Sequence, residues 1–335
     1  MSYLESITRK LLFQLNPETA HHLAQIMINL RYSKYTPSKT PKKPVELFGL
    51  HFPNPVGLAA GWDKNGDCFD ALFRLGFGFV EVGTVTPKPQ TGNPKPRLFR
   101  IQKKNALINR MGFNNAGVDA LVQKLQTRNA PGILGVNIGK NKDTALENAL
   151  DDYQICLKAV YPYTDYIVVN ISSPNTPGLR ELQSEQYLKN LLQGLRTAKK
   201  SAAAISDRDL PLLVKTSVDL PESLYASFVE TLMDSEIDGV VISNTTIDHT
   251  SVSDCRYANE AGGLSGQPLR EKTTEMIRAI NVISEKKLPI IGVGGILSGP
   301  DALAHQQAGA QLFQVFTGFV YRGPQLIDDI LLALP

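Results

Sequence analysis

Short apolar runs rich in β-branched residues recur from residue 54 to the end of the chain, and a stretch with helical periodicity follows each of them. Strands that alternate with helices are typical of parallel βαβ units. Strands that are apolar along their whole length have both faces covered, as in a closed barrel with a helical coat. Eight runs therefore predict an α/β fold of the (β/α)8 TIM-barrel type. They are residues 54–61, 79–84, 132–138, 166–172, 212–216, 239–244, 289–294 and 311–316.

Two connections between these strands are too long to be simple turns. Residues 85–111 are rich in proline and basic side chains, and within them residues 97–101 and 105–109 are predicted to pair as a hairpin. Residues 245–268 form a second polar excursion with several glycines. Long loops at the active face of a barrel usually serve binding.

Two amphipathic helices are predicted before the barrel. The first has an apolar face that includes Leu4, Ile7 and Leu11, and the second begins with Asn16 as its N-cap and Pro17 at its first position. A basic, proline-containing linker follows at residues 31–44. For a lone amphipathic pair, packing against the barrel is the favoured interpretation, but a basic amphipathic element at a terminus can also lie in a membrane interface. The predicted domains are this helical extension and linker, residues 1–43, and the barrel, residues 44–335.

Charge is distributed unevenly over the 335 residues, whose net charge is +3. The first 43 residues carry a balance of +5, so the remainder is close to neutral at −2. A basic end on a near-neutral body indicates an anionic surface rather than nucleic acid, which would require a wider basic face.

The cysteines and the hydropathy of the chain indicate where in the cell the protein is located. The three cysteines have no metal-binding spacing, which predicts reduced thiols, a cytosolic setting and no bound metal. The chain has neither an apolar run long enough to span a membrane nor a signal peptide. We therefore expect the protein to stay inside the cell.

Polar or glycine residues close every apolar run, at the strand ends where this fold builds its active site. Each residue alone is weak evidence, and their convergence is what predicts a site. They are Lys64, Thr84, Asn137, Asn170, Ser172, Ser173, Asn175, Lys215, Ser243, Asn244, Thr245, Gly294, Gly295, Thr317 and Gly318, the last two directly after Phe316.

Glycines after the last two strands, Gly294, Gly295 and Gly318, together with Thr317, match the phosphate site that barrels build from their final loops. The alternative is that they are ordinary turn glycines. Because these residues follow the seventh and eighth of the eight predicted strands, we favour a phosphate-binding site.

Two lysines are candidates for contact with an anionic ligand. Lys215 lies in an otherwise apolar strand, where it would be costly without an anionic partner. Beside a flavin it would stabilise the negative charge of the reduced ring; the alternative is a lysine that extends from the barrel rim. Lys64 is more ambiguous, because the adjacent Asp63 could form a purely structural ion pair with it.

Four asparagines near strand ends, Asn109, Asn170, Asn175 and Asn244, form the most informative group. An amide side chain both donates and accepts, so several suit a ring edge that alternates N–H and C=O, as in a pyrimidine-dione. Any one of them could instead be a turn or cap residue. Ser173 has no His or Asp partner nearby in the sequence, and by itself it is interpreted as an ordinary loop serine. Two histidines without a companion motif, His249 and His305, are predicted at the surface.

Motifs along essentially the whole chain resemble those of the dihydroorotate dehydrogenases. They are GLAAGWDKNG (57–66), FVEVGTVTPKPQTGNPKPRLFR (79–100), INRMGFNNAG (108–117), VNIGKNKDT (136–144), NISSPNTPGLR (170–180), SNTT (243–246), GGLSGQPL (262–269) and IIGVGGI (290–296). Serine at position 173, where class 1 enzymes have cysteine, and the N-terminal helices both resemble class 2, which is membrane-associated and quinone-dependent.

This resemblance implies an FMN enzyme that oxidises (S)-dihydroorotate to orotate in de novo pyrimidine biosynthesis. Ser173 would be the base that takes the proton from ring carbon 5. The substrate would be held by Lys64, Asn109, Arg110, Met111, Gly112, Phe113, Asn170, Asn175, Asn244 and Thr245. FMN would be held by Ala60, Gly61, Trp62, Asp63, Lys64, Thr84, Asn137, Asn170, Lys215, Ser243, Gly266, Gly295, Phe316 and Thr317.

The resemblance also implies a route for a membrane quinone between the two N-terminal helices, with His21 and Arg100 as quinone-side groups. The protein would lie on the cytoplasmic side of the inner membrane as a peripheral protein. Three positions depart from the family pattern: Trp62 replaces a leucine, Ser243 a threonine and Phe316 a tyrosine. Loss of the tyrosine hydroxyl would change the contacts near the quinone side.

Other functions remain open at this point. An FMN-dependent barrel enzyme could oxidise a pyrimidine with a soluble acceptor, although a class 1 enzyme would have a cysteine base and no N-terminal helix pair. A phosphate-binding lyase would contain no flavin. A non-catalytic membrane scaffold would have no use for the polar strand ends.

Overall fold

The computed structural model describes residues 3–32, 43–176 and 178–335, with side chains from residue 8 onward. Most of the predicted linker and the side chains of Leu4 and Ile7 therefore lie outside the described residues. Thirteen strands occur in the described part: β1 (Val45–Leu47), β2 (Leu50–Phe52), β3 (Val56–Leu58), β4 (Phe79–Val85), β5 (Leu98–Ile101), β6 (Ala106–Asn109), β7 (Ile133–Ile138), β8 (Tyr166–Asn170), β9 (Leu212–Ser217), β10 (Gly239–Asn244), β11 (Gly263–Gly266), β12 (Ile290–Val293) and β13 (Leu312–Val315).

Helices follow the strands in alternation, as the periodicity predicts. They are α1 (Tyr3–Leu12), α2 (Pro17–Tyr32), α3 (Phe69–Leu75), α4 (Val118–Leu125), α5 (Ala149–Val160), α6 (Glu185–Ser206), α7 (Tyr225–Asp234), α8 (Arg270–Ile283), α9 (Gly299–Ala308), α10 (Thr317–Arg322) and α11 (Gln325–Ala333).

Eight parallel strands close into a barrel in the order β3, β4, β7, β8, β9, β10, β12 and β13. The last strand pairs with the first, with Phe313 opposite Val56, and this pairing closes the ring. Each of the eight predicted apolar runs overlaps one of these strands, so the predicted (β/α)8 barrel is confirmed.

Two apolar layers hold the barrel together. The larger lies between the strands and the surrounding helices, and a smaller one fills the barrel interior. The hairpin of β1 and β2 covers one end of the interior, where Phe52 packs edge-on against Phe79 with ring centroids 5.4 Å apart. Side chains fill this end, so the opening for a ligand is at the carboxyl ends of the strands.

The two long connections meet in one three-stranded sheet outside the barrel. The predicted hairpin is confirmed as β5 and β6, with the turn at Gln102–Lys104. Strand β11, from the second excursion, pairs antiparallel with β6, which places Gly263 opposite Asn109. The sheet brings two segments that are far apart in sequence to the rim of the barrel.

Helix α2 begins as predicted: the side-chain oxygen of Asn16 accepts the backbone N–H of Glu18 at 3.0 Å. The helix is held to the three-stranded sheet by an ion pair of 2.7 Å between Glu18 and Arg97, the residue before β5. Apolar side chains of both helices nevertheless remain exposed, with Leu11 at 65% and Leu30 at 78%. Within the described ranges, no helix combines the length and apolarity needed to cross a membrane.

The surface prediction for His305 is wrong. This side chain is buried on the inner face of α9, where Gly292 of β12 leaves room for the ring. Burial lowers the pKa of His305 to about 4, so the ring is neutral at physiological pH. The partly buried His249 binds the carbonyl oxygens of Ala258 and Gly262 and so stabilises the second excursion.

Candidate active site

A cavity of about 650 Å³ opens at the carboxyl ends of the barrel strands and continues outward between α1 and α2. Its inner part is lined by the predicted strand-end residues, and its outer part by apolar side chains of the two helices. The inner lining includes Lys64, Thr84, Asn109, Met111, Gly112, Phe113, Asn170, Ser173, Asn175, Lys215, Ser243, Asn244 and Thr245, and the outer lining includes Leu12, Phe13, Met27 and Leu30.

The four predicted asparagines lie together at the inner end. The Asn175 amide nitrogen donates to the side-chain oxygen of Asn109 at 3.2 Å, and that of Asn244 donates to the side-chain oxygen of Asn170 at 3.3 Å. These long bonds leave part of the donor and acceptor capacity of each amide for a ligand. The hydroxyl of Thr245 is buried beside them and has no hydrogen-bond partner among the described residues.

Ser173 lies at the same end and is buried. Its Oγ accepts a hydrogen bond of 3.3 Å from the backbone N–H of Asn175. Within the described part of the chain, no His, Asp, Glu or Lys side chain bonds to this oxygen, so no Ser–His–Asp arrangement activates it. The N–H of Asn175 does, however, stabilise negative charge on the oxygen when its proton leaves.

Two lysines point into the cavity without a protein partner. No described residue accepts a hydrogen bond from the Nζ of Lys215 or of Lys64, and both side chains line the cavity. Desolvation lowers the pKa of Lys215, and Glu81 partly offsets this. Desolvation, assisted by Arg97, also lowers the pKa of Lys64, to about 8. Two desolvated cations at one site require an anionic ligand.

The structural ion pair between Lys64 and Asp63, considered from the sequence, is absent from the described contacts. Both Asp63 oxygens instead accept backbone N–H groups, that of Asp67 at 2.7 Å and that of Cys68 at 2.9 Å. Asp63 thus holds the loop that presents Lys64. This leaves the lysine free to face the cavity.

A buried polar network lies beneath the cavity floor, and sequence reasoning missed its central residue, Glu81. One Glu81 oxygen accepts the amide of Asn137 at 2.8 Å, and the other accepts that of Gln314 at 2.6 Å. The side-chain oxygen of Asn137 in turn accepts the Thr84 hydroxyl at 2.6 Å and the Asn170 amide at 3.2 Å. The sequence feature that could have identified Glu81 is its charge inside the otherwise apolar run 79–84.

The predicted phosphate end is formed by the loops after β12 and β13, which line the same cavity. Gly295 has φ +76, and a Cβ there would lie 2.3 Å from the backbone of Arg270, so only glycine fits. The hydroxyls of Ser265 and Thr317 are 2.8 Å apart, which joins β11 to this end. Gly266 and Phe316 complete the lining.

Three of the predicted site residues do not line the cavity. Besides Asp63 and Asn137, Arg110 directs its side chain away, to Glu260 at 2.6 Å and over the ring of Phe99. The other predicted substrate and cofactor residues all line it.

The two predicted quinone-side residues lie at the outer part of the cavity. The carbonyl oxygen of Trp62 is 2.8 Å from His21 Nε2 and accepts the Gln25 amide at 2.8 Å. Desolvation lowers the pKa of His21 to about 4, so the ring is neutral and Nε2 carries its proton. Arg100 donates to the carbonyl oxygens of Leu12 and Leu15 at the end of α1.

No cluster of three or more His, Cys, Asp or Glu residues suited to a metal occurs in residues 3–32, 43–176 and 178–335. All three cysteines, Cys68, Cys156 and Cys255, are free thiols.

Comparison with known proteins agrees with this architecture. The sequence model of the dihydroorotate dehydrogenase family matches residues 43–335. A dihydroorotate dehydrogenase (quinone) of Stenotrophomonas maltophilia strain R551-3 is 53% identical over 334 residues, which cover 98% of this chain and 95% of that protein. A protein of the same name from Cellvibrio japonicus is 52% identical over 326 residues, covering 96% of this chain and 95% of that protein.

Among solved structures, the Eimeria tenella DHODH in complex with ferulenol superimposes with a TM-score of 0.88 at 37% identity. The match covers 94% of this chain and 89% of that one. Because a family model and near-full-length relatives agree, the chain belongs to the dihydroorotate dehydrogenase family.

Proposed function

We propose that this protein is a quinone-dependent dihydroorotate dehydrogenase, which oxidises (S)-dihydroorotate to orotate with FMN as cofactor and a membrane quinone as final electron acceptor. One observation carries the proposal: four amides, two unpaired lysines and the phosphate-type loops line a single cavity that continues between α1 and α2. The names of the relatives support the same activity.

The residues of the inner cavity fit FMN. The desolvated and unpaired Lys215 requires an anionic partner, and the loops at Gly295 and Thr317 suit a phosphate. Bound FMN would supply the two-electron acceptor of the reaction. The chain would hold it through Ala60, Gly61, Trp62, Lys64, Thr84, Asn170, Lys215, Ser243, Gly266, Gly295, Phe316 and Thr317, with Asp63 and Asn137 acting behind this layer.

The substrate would lie against the asparagines. Asn109, Asn170, Asn175 and Asn244 offer both donors and acceptors to the N–H and C=O groups of the dihydropyrimidine ring. Lys64 would provide a positive charge for the substrate carboxylate. Backbone N–H groups of the segment around Gly112, which also line the cavity, would complete the carboxylate contacts.

Ser173 would take the proton from ring carbon 5 of the substrate. Its Oγ is buried next to the amides that hold the ring, and the N–H of Asn175 stabilises the negative charge that develops on this oxygen. Because no ionisable side chain among the described residues bonds to Ser173, this hydrogen bond is the local contribution of the protein to its basicity.

The outer part of the cavity would admit the quinone. It is lined by apolar side chains of α1 and α2, and exposed apolar residues of the same helices continue outward from it. The helices would lie in the membrane interface, with the protein bound peripherally to the cytoplasmic side of the inner membrane. A quinone could then enter from the bilayer without crossing water.

Anaerobic titration tests this proposal. The purified protein is expected to contain FMN and to lose its yellow colour when dihydroorotate is added without oxygen. Subsequent addition of a quinone should restore the colour rapidly, whereas fumarate and NAD should not. A colourless protein or absence of bleaching would contradict the proposed oxidation of dihydroorotate. Return of the yellow colour with fumarate or NAD would contradict a quinone as the electron acceptor.

A further inference from the structure

Four consecutive backbone N–H groups in the loop after β6, those of residues 111–114, have no hydrogen-bond partner among the described residues. The carbonyl groups of Met111, Gly112 and Phe113 are all engaged. That of Met111 accepts the backbone N–H of Asn93 at 3.0 Å. Those of Gly112 and Phe113 both accept the side-chain amide of Gln90 at 3.1 Å. The loop therefore has one satisfied side and one side with free donors.

The geometry of the peptide group relates these two sides. In a trans peptide the C=O and the following N–H point in opposite directions. Gly112 and Phe113 have left-handed φ values of +72 and +53, and their carbonyls point to the same side because both accept the Nε2 of Gln90. Holding these carbonyls at Gln90 turns the N–H groups of Phe113 and Asn114 away from Gln90. Gly112 and Phe113 line the cavity, whereas Gln90 and Asn114 do not, so the N–H of Phe113 faces the cavity.

The orientation of the Gln90 amide is itself determined by its other contacts. Its Oε1 accepts the side-chain amide of Asn141 at 2.9 Å and the backbone N–H of Lys142 at 3.0 Å. Rotating the amide by half a turn would place its Nε2 against the donors of Asn141 and Lys142. It would also place its Oε1 against the carbonyls of Gly112 and Phe113. Gln90 therefore presents its Nε2 to the carbonyls of the substrate loop and connects this loop to the one after β7.

We propose that Gln90 is a positioning residue for the substrate carboxylate: by holding the carbonyls of Gly112 and Phe113 it fixes this turn of the loop so that the N–H of Phe113 is presented to the anion. This inference rests on the proposed function, because it takes the bound anion to be the carboxylate of dihydroorotate or orotate. Gln90 does not contact the substrate in this arrangement. It acts through the two carbonyls that it holds.

Gln90→Glu tests the inference with little change in shape. The carboxylate cannot donate, and one of its oxygens would face the carbonyls of Gly112 and Phe113, so the peptides are expected to turn. The Kd for orotate and the KM for dihydroorotate should each rise about tenfold or more, which is the effect of losing a hydrogen bond to a charged group. The kcat and the FMN content should change little. Gln126→Glu, at an exposed amide that bonds only to Tyr163, is the matched control.

A neutral analogue separates positioning from a general loss of structure. Orotamide, the carboxamide of orotate, has the same ring without the negative charge. Gln90→Glu should weaken orotate binding several-fold more than orotamide binding. Equal weakening of both ligands, or an unchanged Kd for orotate, would overturn the inference. Gln90→Met, which removes the donors without adding charge, gives the same comparison if the glutamate variant does not fold.

The proposed function is tested by the wild-type protein, independently of the Gln90 variants. If wild-type protein fails to bleach with dihydroorotate, the proposed function is wrong whatever the Gln90 variants do. If wild-type protein bleaches and the variants bind orotate normally, only the role of Gln90 is wrong.

Discussion

Glu81 accepts a hydrogen bond of 2.8 Å from the side-chain amide of Asn137 inside the barrel. This bond directs the Asn137 oxygen toward Thr84 and Asn170, which line the cavity floor above it. The position of Asn170, a predicted contact for both substrate and FMN, thus depends on a carboxylate that does not reach the cavity.

Removal of the Glu81 carboxylate should destabilise the protein and weaken FMN retention. Glu81→Ala would leave the amides of Asn137 and Gln314 without an acceptor and create a cavity, so we expect a loss of about 2–4 kcal/mol in the free energy of unfolding. Denaturant unfolding and the FMN-to-protein ratio measure the two effects.

Glu81→Gln is the matched control for this prediction. The Gln314 amide can turn to present its Oε1, which has no partner, to the new amide. The loss should therefore be about 1 kcal/mol. Unfolding curves for Glu81→Ala that coincide with those of wild type would show that the network does not support the cavity floor.

Replacement of Ser173 by alanine should separate binding from turnover. Orotate and FMN should bind as in wild type, because the hydroxyl is not needed to hold either of them. Turnover at neutral pH should fall by about a hundredfold or more, the usual effect of removing a general base. Anaerobic stopped-flow measurement of flavin bleaching reports this step directly.

Ser223→Ala, at an exposed position remote from the cavity, controls for the loss of a hydroxyl as such. Bleaching by Ser173→Ala at a rate near that of wild type would mean that another group takes the proton.

The affinity for orotate should depend on the protonation of Lys64. The pKa of Lys64 is lowered to about 8 by desolvation, so the ammonium is present below that pH and is lost above it. The Kd for orotate should therefore be constant at lower pH and rise as pH increases through and above about 8, approaching tenfold per unit of pH.

Lys64→Met should bind orotate weakly and remove this rise. Spectral titration of the flavin between about pH 6 and pH 9.5 measures both curves. A rise of the same size in Lys64→Met would assign the titration to another group.

The exposed apolar side chains of α2 should determine membrane binding. Leu30 is 78% exposed, so Leu30→Glu would not disturb the core but would oppose burial in the membrane interface. We expect a lower fraction bound to phospholipid vesicles in co-sedimentation, with bleaching by dihydroorotate unchanged.

Val282→Glu is the matched control, because Val282 is 69% exposed on α8, a helix of the barrel coat. If Leu30→Glu and Val282→Glu bind vesicles equally well, α2 is not the contact surface.

Local patterns in the sequence were sufficient to predict the framework of this protein. The apolar runs predicted all eight barrel strands, the proline-rich connection predicted the β5–β6 hairpin, and Asn16 with Pro17 predicted the start of α2. These features are local because the burial of a strand on both faces, or the capping of a helix, requires particular residues within a few positions of one another.

The tertiary structure alone decided how distant segments meet. Only the fold pairs β11 with β6, places Glu81 beneath Asn170 through Asn137, and buries His305 over Gly292. Each outcome depends on contacts between residues far apart in sequence, and a local pattern does not record which partner satisfies a polar group. Strand-end position therefore predicted most of the residues that line the cavity, while their hydrogen-bond partners were set by the closed barrel.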